Sequence, residues 1–209
     1  MGQALQAARP DVVVAALWGG DFIAFLKQAA AATGFFDRIR LANFDTGGNY
    51  DVMVALGSTP PPGLILSARH HNNWPDTPLN RWFVSSFHAL EGRYPTYAAE
   101  GAYAGIIAIA SAVRKAGGAK STERLVGALE GLVLDLPEDP PGYQSRIDPA
   151  THQIAQAQAI GEVVADGAFP PAKVMLGRWV VYPADLLQPT AAVISRRRSA
   201  AGQRTHPVE

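Results

Sequence analysis

The chain has 209 residues, of which 48% are hydrophobic and 17% are charged, and it contains no cysteine. This length and apolar fraction supply a packed core for one large domain or two small ones, which excludes a disordered chain. The 18 basic and 18 acidic side chains cancel. The basic residues cluster only after residue 190, so the body of the chain lacks the positive surface that nucleic-acid binding requires.

The first third of the chain alternates between predicted strands and helices. A continuous apolar run at 11–17 predicts a strand covered on both faces, and the apolar spacing over 22–32 predicts a helix. The alternation continues with a strand at 39–42, a short helix at 51–56 and a strand at 63–67. This β-α-β-α-β order is typical of an α/β fold with a parallel sheet and right-handed crossovers.

The rest of the chain is predicted to be helical and then extended. Helices are expected at 78–90, 97–116 and 121–131, followed by extended segments at 132–136, 143–147, 154–164 and 174–182. The long helix would bury a stripe of Tyr103, Ile106, Ile107, Ala110 and Val113. One compact sheet does not easily accommodate this order. We therefore expect a chain that leaves one lobe, contributes helices to another and returns.

The loops after the first two strands carry the candidate ligand-binding residues, because ligands of open parallel sheets lie beyond the carboxyl ends of the strands. Gly19 and Gly20 would leave backbone N–H groups accessible to an anion at the start of a helix. Trp18 offers a flat apolar wall or a cation–π surface, and Asp45 could pair with a ligand ammonium. The alternatives are a plain glycine turn, a tryptophan covering the core and an aspartate that caps a helix.

No catalytic or metal-binding constellation stands out in the sequence. His70 and His71 are adjacent and lack a partner three or four residues on, so a solvated loop is expected there rather than a metal site. Ser67 lacks the glycines of a nucleophile elbow, and no phosphate-binding glycine motif follows a strand. The basic segment 196–198 is expected to be solvated. The sequence thus favours a binding protein without metal or cofactor over an enzyme.

Several motifs, in their order along the chain, resemble the periplasmic type I solute-binding proteins of branched-chain amino acid ABC transporters, the leucine-binding class. The motifs that carry this resemblance are AARPDVVV at 7–14, WGGD at 18–21, GLIL at 63–66, GRYPTY at 92–97, AYA at 102–104, AGG at 116–118, and RIDP at 146–149 with HQ at 152–153. Members of that family have two α/β lobes joined by three crossings, with the ligand held between them.

The resemblance covers only the later half of that family's pattern. It implies that 1–67 form part of the second lobe, 68–135 are helices that pack on the first lobe, and 136–190 cross the hinge and return. Beyond the resemblance, the composition of 191–209 predicts a disordered basic tail. By position, the resemblance implies that Trp18 covers the ligand, Asp45 takes the ligand's ammonium and Tyr97 lies at the hinge-side edge of the cleft.

The resemblance implies a solute-binding component of an ABC importer. This component would lie in the periplasm, close around an amino acid or small amide, and have an ABC permease as its partner. The N-terminus lacks the features of a secretory signal, and the first lobe of the family's pattern has no counterpart in this sequence. The expectation is therefore either such a component or a truncated form of one. Such a form would leave apolar helical faces uncovered at Trp82, Phe83, Phe87 and Ile106 and would self-associate. The alternatives are a ligand-sensing regulatory protein built on the same lobes and a small α/β enzyme that uses Asp45 or His70.

Overall fold

The computed structural model describes residues 2–202. Its first elements are α1 (Gly2–Ala8), β1 (Val12–Val14), α2 (Gly19–Ala31), α3 (Phe35–Arg38), β2 (Arg40–Asn43), α4 (Tyr50–Leu56) and β3 (Leu64–Leu66). The later elements are α5 (Pro78–Glu91), α6 (Tyr97–Ala116), α7 (Thr122–Leu129), β4 (Val133–Leu134), β5 (Ser145–Ile147), β6 (Ile154–Ala155), β7 (Gln158–Ala165), β8 (Val174–Tyr182), α8 (Ala184–Leu187) and α9 (Ala191–Ala200).

A five-stranded mixed sheet organises the fold, with strand order β1-β2-β3-β7-β8. The strands β1, β2 and β3 are parallel, whereas β7 runs antiparallel to β3 and β8 antiparallel to β7. The predicted α/β fold with a parallel β-α-β-α-β unit is therefore confirmed. The chain leaves this sheet after β3, forms the helices α5 to α7, and returns to the sheet through β7.

The main hydrophobic core lies between this sheet and the helices α2 and α4. Its fully buried side chains include Phe22 of α2, Leu41 of β2, Met53 of α4 and Leu176 of β8. Each such side chain stabilises the fold by roughly 1.5–3 kcal/mol through burial. This packing makes the sheet a firm platform for the loops at its carboxyl edge.

The strand β1 is not covered on both faces as the apolar run predicted. Val13 packs against the core, but Val12 and Val14 are exposed on the opposite face. Successive side chains of a strand alternate between faces, and the described part of the chain covers only one face of this edge strand.

A second packed region consists of α6, α7 and a small antiparallel sheet of β4, β5 and β6. The stripe that α6 buries is Ala104, Ala108, Ala112 and Ala116, so the predicted stripe was wrong in its main residues. Ile106 is 68% exposed, while Tyr103 and Ile107 are half-buried. The small alanine side chains let α7 and the small sheet approach α6 closely, and the larger side chains point outward.

The predicted exposure of the aromatic residues on α5 is only partly correct. Trp82 is 54% exposed, but Phe83 is buried, with the rings of His70, Phe87 and Tyr103 around it. The expectation that Phe83 lies uncovered is therefore wrong, because contacts from outside its own helix enclose it.

The segment expected to be an unpacked tail instead begins as a helix. The hydroxyl of Thr190 accepts a hydrogen bond from the backbone N–H of Val193 at the start of α9, and Arg198 donates to the carbonyl oxygen of Ala150 at 3.1 Å. The remainder of that predicted tail, 203–209, lies outside the described residues. Within 2–202, no helix has both the length and the apolar character needed to cross a bilayer.

Candidate functional site

Three of the predicted ligand-binding residues converge on a residue that the sequence analysis did not single out, Arg69. Its guanidinium lies 5.9 Å from the ring centroid of Trp18 and 5.4 Å from that of Tyr97. Its Nη2 donates to Oδ1 of Asp45 at 2.8 Å. Arg69 therefore connects the loops after β1 and β2 with the start of α6. These four residues, Trp18, Asp45, Arg69 and Tyr97, are called the edge cluster below.

The buried side chain of Asn43 joins the two loops that carry Trp18 and Asp45. Its Nδ2 donates to the carbonyl oxygen of Leu17 at 2.8 Å. Its Oδ1 accepts the backbone N–H groups of Asp45 at 3.2 Å and Gly47 at 2.9 Å. An asparagine at the end of a strand commonly bonds the backbone of the following turn in this way. The loop after β2 is thereby fixed beside the loop after β1.

Two further contacts fix the loop after β2 against β3 and α6. The N–H of Gly48 donates to the carbonyl oxygen of Ser67 at 2.8 Å, and a Cβ at Gly48 would lie 2.9 Å from the carbonyl carbon of Ser67. Only glycine allows this approach, which brings Asp45 alongside Arg69. Asn49 accepts the backbone N–H of Tyr97 at 3.3 Å, which positions the start of α6 beside the same loop.

The two predicted glycines form the start of α2 next to the edge cluster. Gly19 has a φ of +44°, which favours glycine at this position. Trp18 occupies the N-cap position without a side-chain hydrogen bond to the helix. Among the described residues, no hydrogen bond links Gly19 or Gly20 to a side chain of the edge cluster, so these glycines contribute the exposed amino end of α2.

A cavity of about 440 Å³ opens beside the edge cluster. Arg69 and Tyr97 line it together with Glu100, Gln156 and the small residues of α6. A second cavity, of about 420 Å³, is lined by 59–62 and 33–37, the segments that precede β3 and β2. That second cavity lies at the amino ends of the strands, where ligands of open parallel sheets are not found. Two other cavities, one beside Arg9 and one beside Pro141, contain no residue of the edge cluster. The cavity lined by Arg69 and Tyr97 is therefore the candidate site.

The charges of the edge cluster are paired. The side chains of Asp45 and Arg69 are 36% and 53% exposed, so their ion pair contributes only about 0–1 kcal/mol to stability. The predicted role of Asp45 assumed a free carboxylate that could pair with a ligand ammonium. In the structure this carboxylate is already paired with Arg69. The signal that could have located Arg69 is its position three residues beyond β3, which follows the same rule that identified the loops after β1 and β2.

His70 and His71 are buried, so the expected solvated loop is wrong. His70 Nε2 must carry a proton, because it lies 2.9 Å from the side-chain oxygen of Asn80. The ring of His71 packs 4.6 Å from that of Trp179. Burial lowers the pKa of His70 to about 4 and that of His71 to about 3. Within 2–202, no group of three His, Asp or Glu side chains could hold a metal ion.

A buried acidic pair lies behind the cavity. Glu100, one turn after Tyr97 on α6, is 3% exposed, as is Glu138. Burial raises the pKa of Glu138 well above its usual range, and its hydrogen bond with Glu100 adds to the effect. Burial also raises the pKa of Glu100. The pair therefore retains a proton at neutral pH, and Gln156 donates to Glu138.

An α/β sheet with charged and aromatic side chains at its carboxyl edge is typical of proteins that bind small ligands there. The chain matches the family model described as "Periplasmic binding protein" over residues 1–168. The chain belongs to that family, and its fold is the type I form. No curated protein is significantly similar to it.

Solved structures share the fold across most of this chain. One is a solute-binding protein of an ABC transporter from Rhodopseudomonas palustris BisB5 in complex with 3,4-dihydroxybenzoic acid, 23% identical, with a TM-score of 0.69 over 88% of this chain and 48% of its own. Another is an amino acid ABC transporter substrate-binding protein from Pseudomonas fluorescens Pf-5, 24% identical, with a TM-score of 0.68 over 91% and 48%.

A third structure is the leucine-, isoleucine-, valine-, threonine- and alanine-binding protein from Brucella ovis in its closed conformation. It is 16% identical, with a TM-score of 0.74 over 91% of this chain and 47% of its own. The chain thus spans about half the length of the structures it matches.

Proposed function

We propose that the chain is a solute-binding component of an ABC importer, which closes around a small organic solute and releases it unchanged. The observation that carries this proposal is the convergence of Trp18, Asp45 and Tyr97 on Arg69 at the carboxyl edge of the sheet. Among the described residues, no nucleophile lies beside a general base in the edge cluster. The proposed function is therefore ligand binding without catalysis. In this proposal, the chain lies in the periplasm and its partner is an ABC permease.

The route of the chain through the sheet supports an assignment to the later half of the two-lobed pattern. The strands β7 and β8 lie in the same sheet as β1, β2 and β3, so the chain departs from one lobe and comes back to it. In this proposal, 1–67 and the returning strands form the second lobe, 68–135 face the first, and 136–190 include the crossings. Closure would be a hinge motion between the lobes.

The ligand class follows from the chemistry of the edge cluster and from the matched structures. The protein from P. fluorescens Pf-5 is an amino acid ABC transporter substrate-binding protein, and the B. ovis protein binds leucine, isoleucine, valine, threonine and alanine. The R. palustris protein is in complex with 3,4-dihydroxybenzoic acid. An aromatic wall beside a charged pair suits a small amino acid, an amide or an aromatic acid. The leucine-binding subclass remains part of this proposal.

The proposal is tested by calorimetric titration of the purified chain with leucine, valine, benzoate, 4-hydroxybenzoate and small amides. The substitution Trp18→Ala should weaken the binding of any solute that binds by at least tenfold, because it removes the apolar wall. The control is Trp82→Ala, since Trp18 is 56% and Trp82 is 54% exposed and only Trp18 contacts Arg69. Equal affinity in wild type and Trp18→Ala would contradict the assignment.

We also propose that the exposed apolar residues of α5 and α6 cause self-association. Trp82, Ile106 and Ile109 are all more than half exposed, and contiguous exposed apolar surface commonly marks an interaction site. Sedimentation velocity should show a concentration-dependent oligomer that Ile106→Ser weakens. Val14→Ser is the matched control, because Val14 is 69% exposed but lies on β1. A monomer at every concentration would refute this part.

A further inference from the structure

We propose that the edge cluster anchors its solute by a carboxylate on Arg69 rather than by an ammonium on Asp45. This inference rests on the proposed solute-binding function and specifies the chemical class of the ligand. It assigns Asp45 a positioning role, in which the carboxylate holds the guanidinium at the mouth of the cavity.

The hydrogen bonds of Arg69 leave donors available for a ligand. Its Nε and Nη2 both donate to the same oxygen of Asp45, at 3.3 and 2.8 Å. Within 2–202 the guanidinium has no other hydrogen-bond acceptor. A guanidinium carries five N–H donors in a fixed planar arrangement that matches a carboxylate. The side chain is 53% exposed and lines the 440 Å³ cavity, so its remaining donors are accessible to a solute.

The aromatic surfaces near the cluster are already used by a cation. Trp18 and Tyr97 both contact the guanidinium of Arg69. An ammonium group would have to displace Arg69 from these rings or bind beside a like charge. The exposed remainder of Trp18 is still available to the apolar body of a solute, because a carboxylate bound to Arg69 leaves that ring in place.

The start of α2 adds a second feature that favours an anion. This helix has 13 residues, and its N-cap residue Trp18 provides no side-chain acceptor for the first N–H groups. The positive end of the helix dipole is thus exposed beside the same loop, and the carboxylate of Asp21 in the first turn of α2 offsets part of it. Asp45 is the one anionic side chain of the edge cluster, and its Oδ1 already accepts from Arg69.

The test compares ligands of matched shape and different charge. The carboxylates are benzoate and 4-methylpentanoate, the amines are benzylamine and 3-methylbutylamine, and the neutral compounds are benzamide and 4-methylpentanamide. Saturation-transfer NMR and calorimetry on the full chain should show that the carboxylates bind at least tenfold more tightly than the amines. Charge-assisted hydrogen bonds to a bidentate partner are strong enough for this difference.

Variants of the ion pair separate the two roles. Arg69→Gln should weaken carboxylate binding by about tenfold to a hundredfold, and Arg69→Lys should restore part of it. Asp45→Asn should weaken carboxylate binding less than Arg69→Gln does, because the amide oxygen still accepts from Arg69 and no ligand contact is lost. The control Arg81→Gln removes an exposed arginine whose ion pair with Asp76 is outside the cluster, and should change nothing. Thermal melts show whether each variant is folded.

The possible failures are distinguishable. Tighter binding of the amines, or loss of binding in Asp45→Asn but not in Arg69→Gln, would overturn the carboxylate anchor while the solute-binding function stands. Binding of the neutral amides alone would have the same meaning. If no compound of the set and no amino acid binds, the solute-binding function itself fails, and the anchor fails with it.

Discussion

The two packed regions of the molecule are built from different side chains. The sheet region, formed by β1 to β3, β7, β8, α2 and α4, buries large residues such as Phe22, Leu41 and Met53. The helical region, formed by α6, α7 and β4 to β6, buries alanines and a pair of glutamates, and exposes Ile106. Both regions bury apolar side chains, which in the helical region include Leu134 and Leu136. The helical region differs in burying mostly small side chains along α6 and in enclosing two carboxyl groups, whose protonation contributes to its stability.

The largest expected difference between the regions is in their response to truncation. Leu41→Ala removes a fully buried side chain from the middle of the parallel strands and should lower the free energy of unfolding by about 2–5 kcal/mol. Ile106→Ala shortens an exposed side chain and should change it by about 0.5 kcal/mol or less. Urea denaturation measures both. Similar losses in the two variants would show that the comparison is wrong.

Acidic pH should destabilise the fold through the two buried histidines between the regions. Burial places the pKa of His70 at about 4 and that of His71 at about 3, below the value of 6.5 in the unfolded chain. Between pH 6.5 and 4 the unfolded chain binds more protons, so stability falls as the pH is lowered through this window. Each histidine contributes a slope of about 1.4 kcal/mol per pH unit.

Urea titrations at a series of pH values measure this slope. His71→Phe keeps an aromatic ring against Trp179 but cannot be protonated. Its stability should therefore fall less steeply than that of the wild type between pH 6.5 and 4.5, by about 1.4 kcal/mol per pH unit. An unchanged slope in His71→Phe would show that His71 does not resist protonation in the folded state.

Raising the pH should have an effect of opposite sign, with half the slope of the two histidines together, and this effect arises in the helical region. Glu138 has a raised pKa because it is buried beside Glu100, so the folded chain keeps a proton that the unfolded chain releases above about pH 4.5. This stabilisation is complete below that pH and is lost as the pH rises, with a slope of about 1.4 kcal/mol per unit for one proton. Glu138→Gln should flatten the decline between pH 7 and 9. A wild-type profile that is already flat would refute the shared proton.

The sequence predicted the sheet region better than the helical region, for physical reasons. Short apolar runs and helix spacing reflect burial against a sheet, so β1 to β3, α2 and α4 were recognisable. The buried stripe of α6 was mispredicted because Ala108 and its neighbours are buried through close helix approach, which hydrophobicity alone does not indicate. The burial of His70 and His71 depends on Asn80 and Trp179, which are distant contacts that no local pattern shows.

In the candidate site too, local sequence patterns located some residues, whereas a residue that depends on distant contacts was missed. The positions of Trp18, Asp45 and Tyr97 followed from strand ends and from the resemblance to a family. Arg69 was missed because its role depends on three loops meeting. Those loops meet through Asn43, which bonds Leu17 and Gly47, and through Gly48 on Ser67.

The most direct test of the central claim is an NMR titration of the ¹⁵N-labelled chain with benzoate, following the indole N–H of Trp18 and the Nε–H of Arg69. The account predicts saturable shifts of both signals, with the indole N–H of Trp82 unmoved. Shifts confined to Thr33 and Phe36, which line the cavity at the opposite edge of the sheet, with Trp18 and Arg69 unchanged, would contradict it.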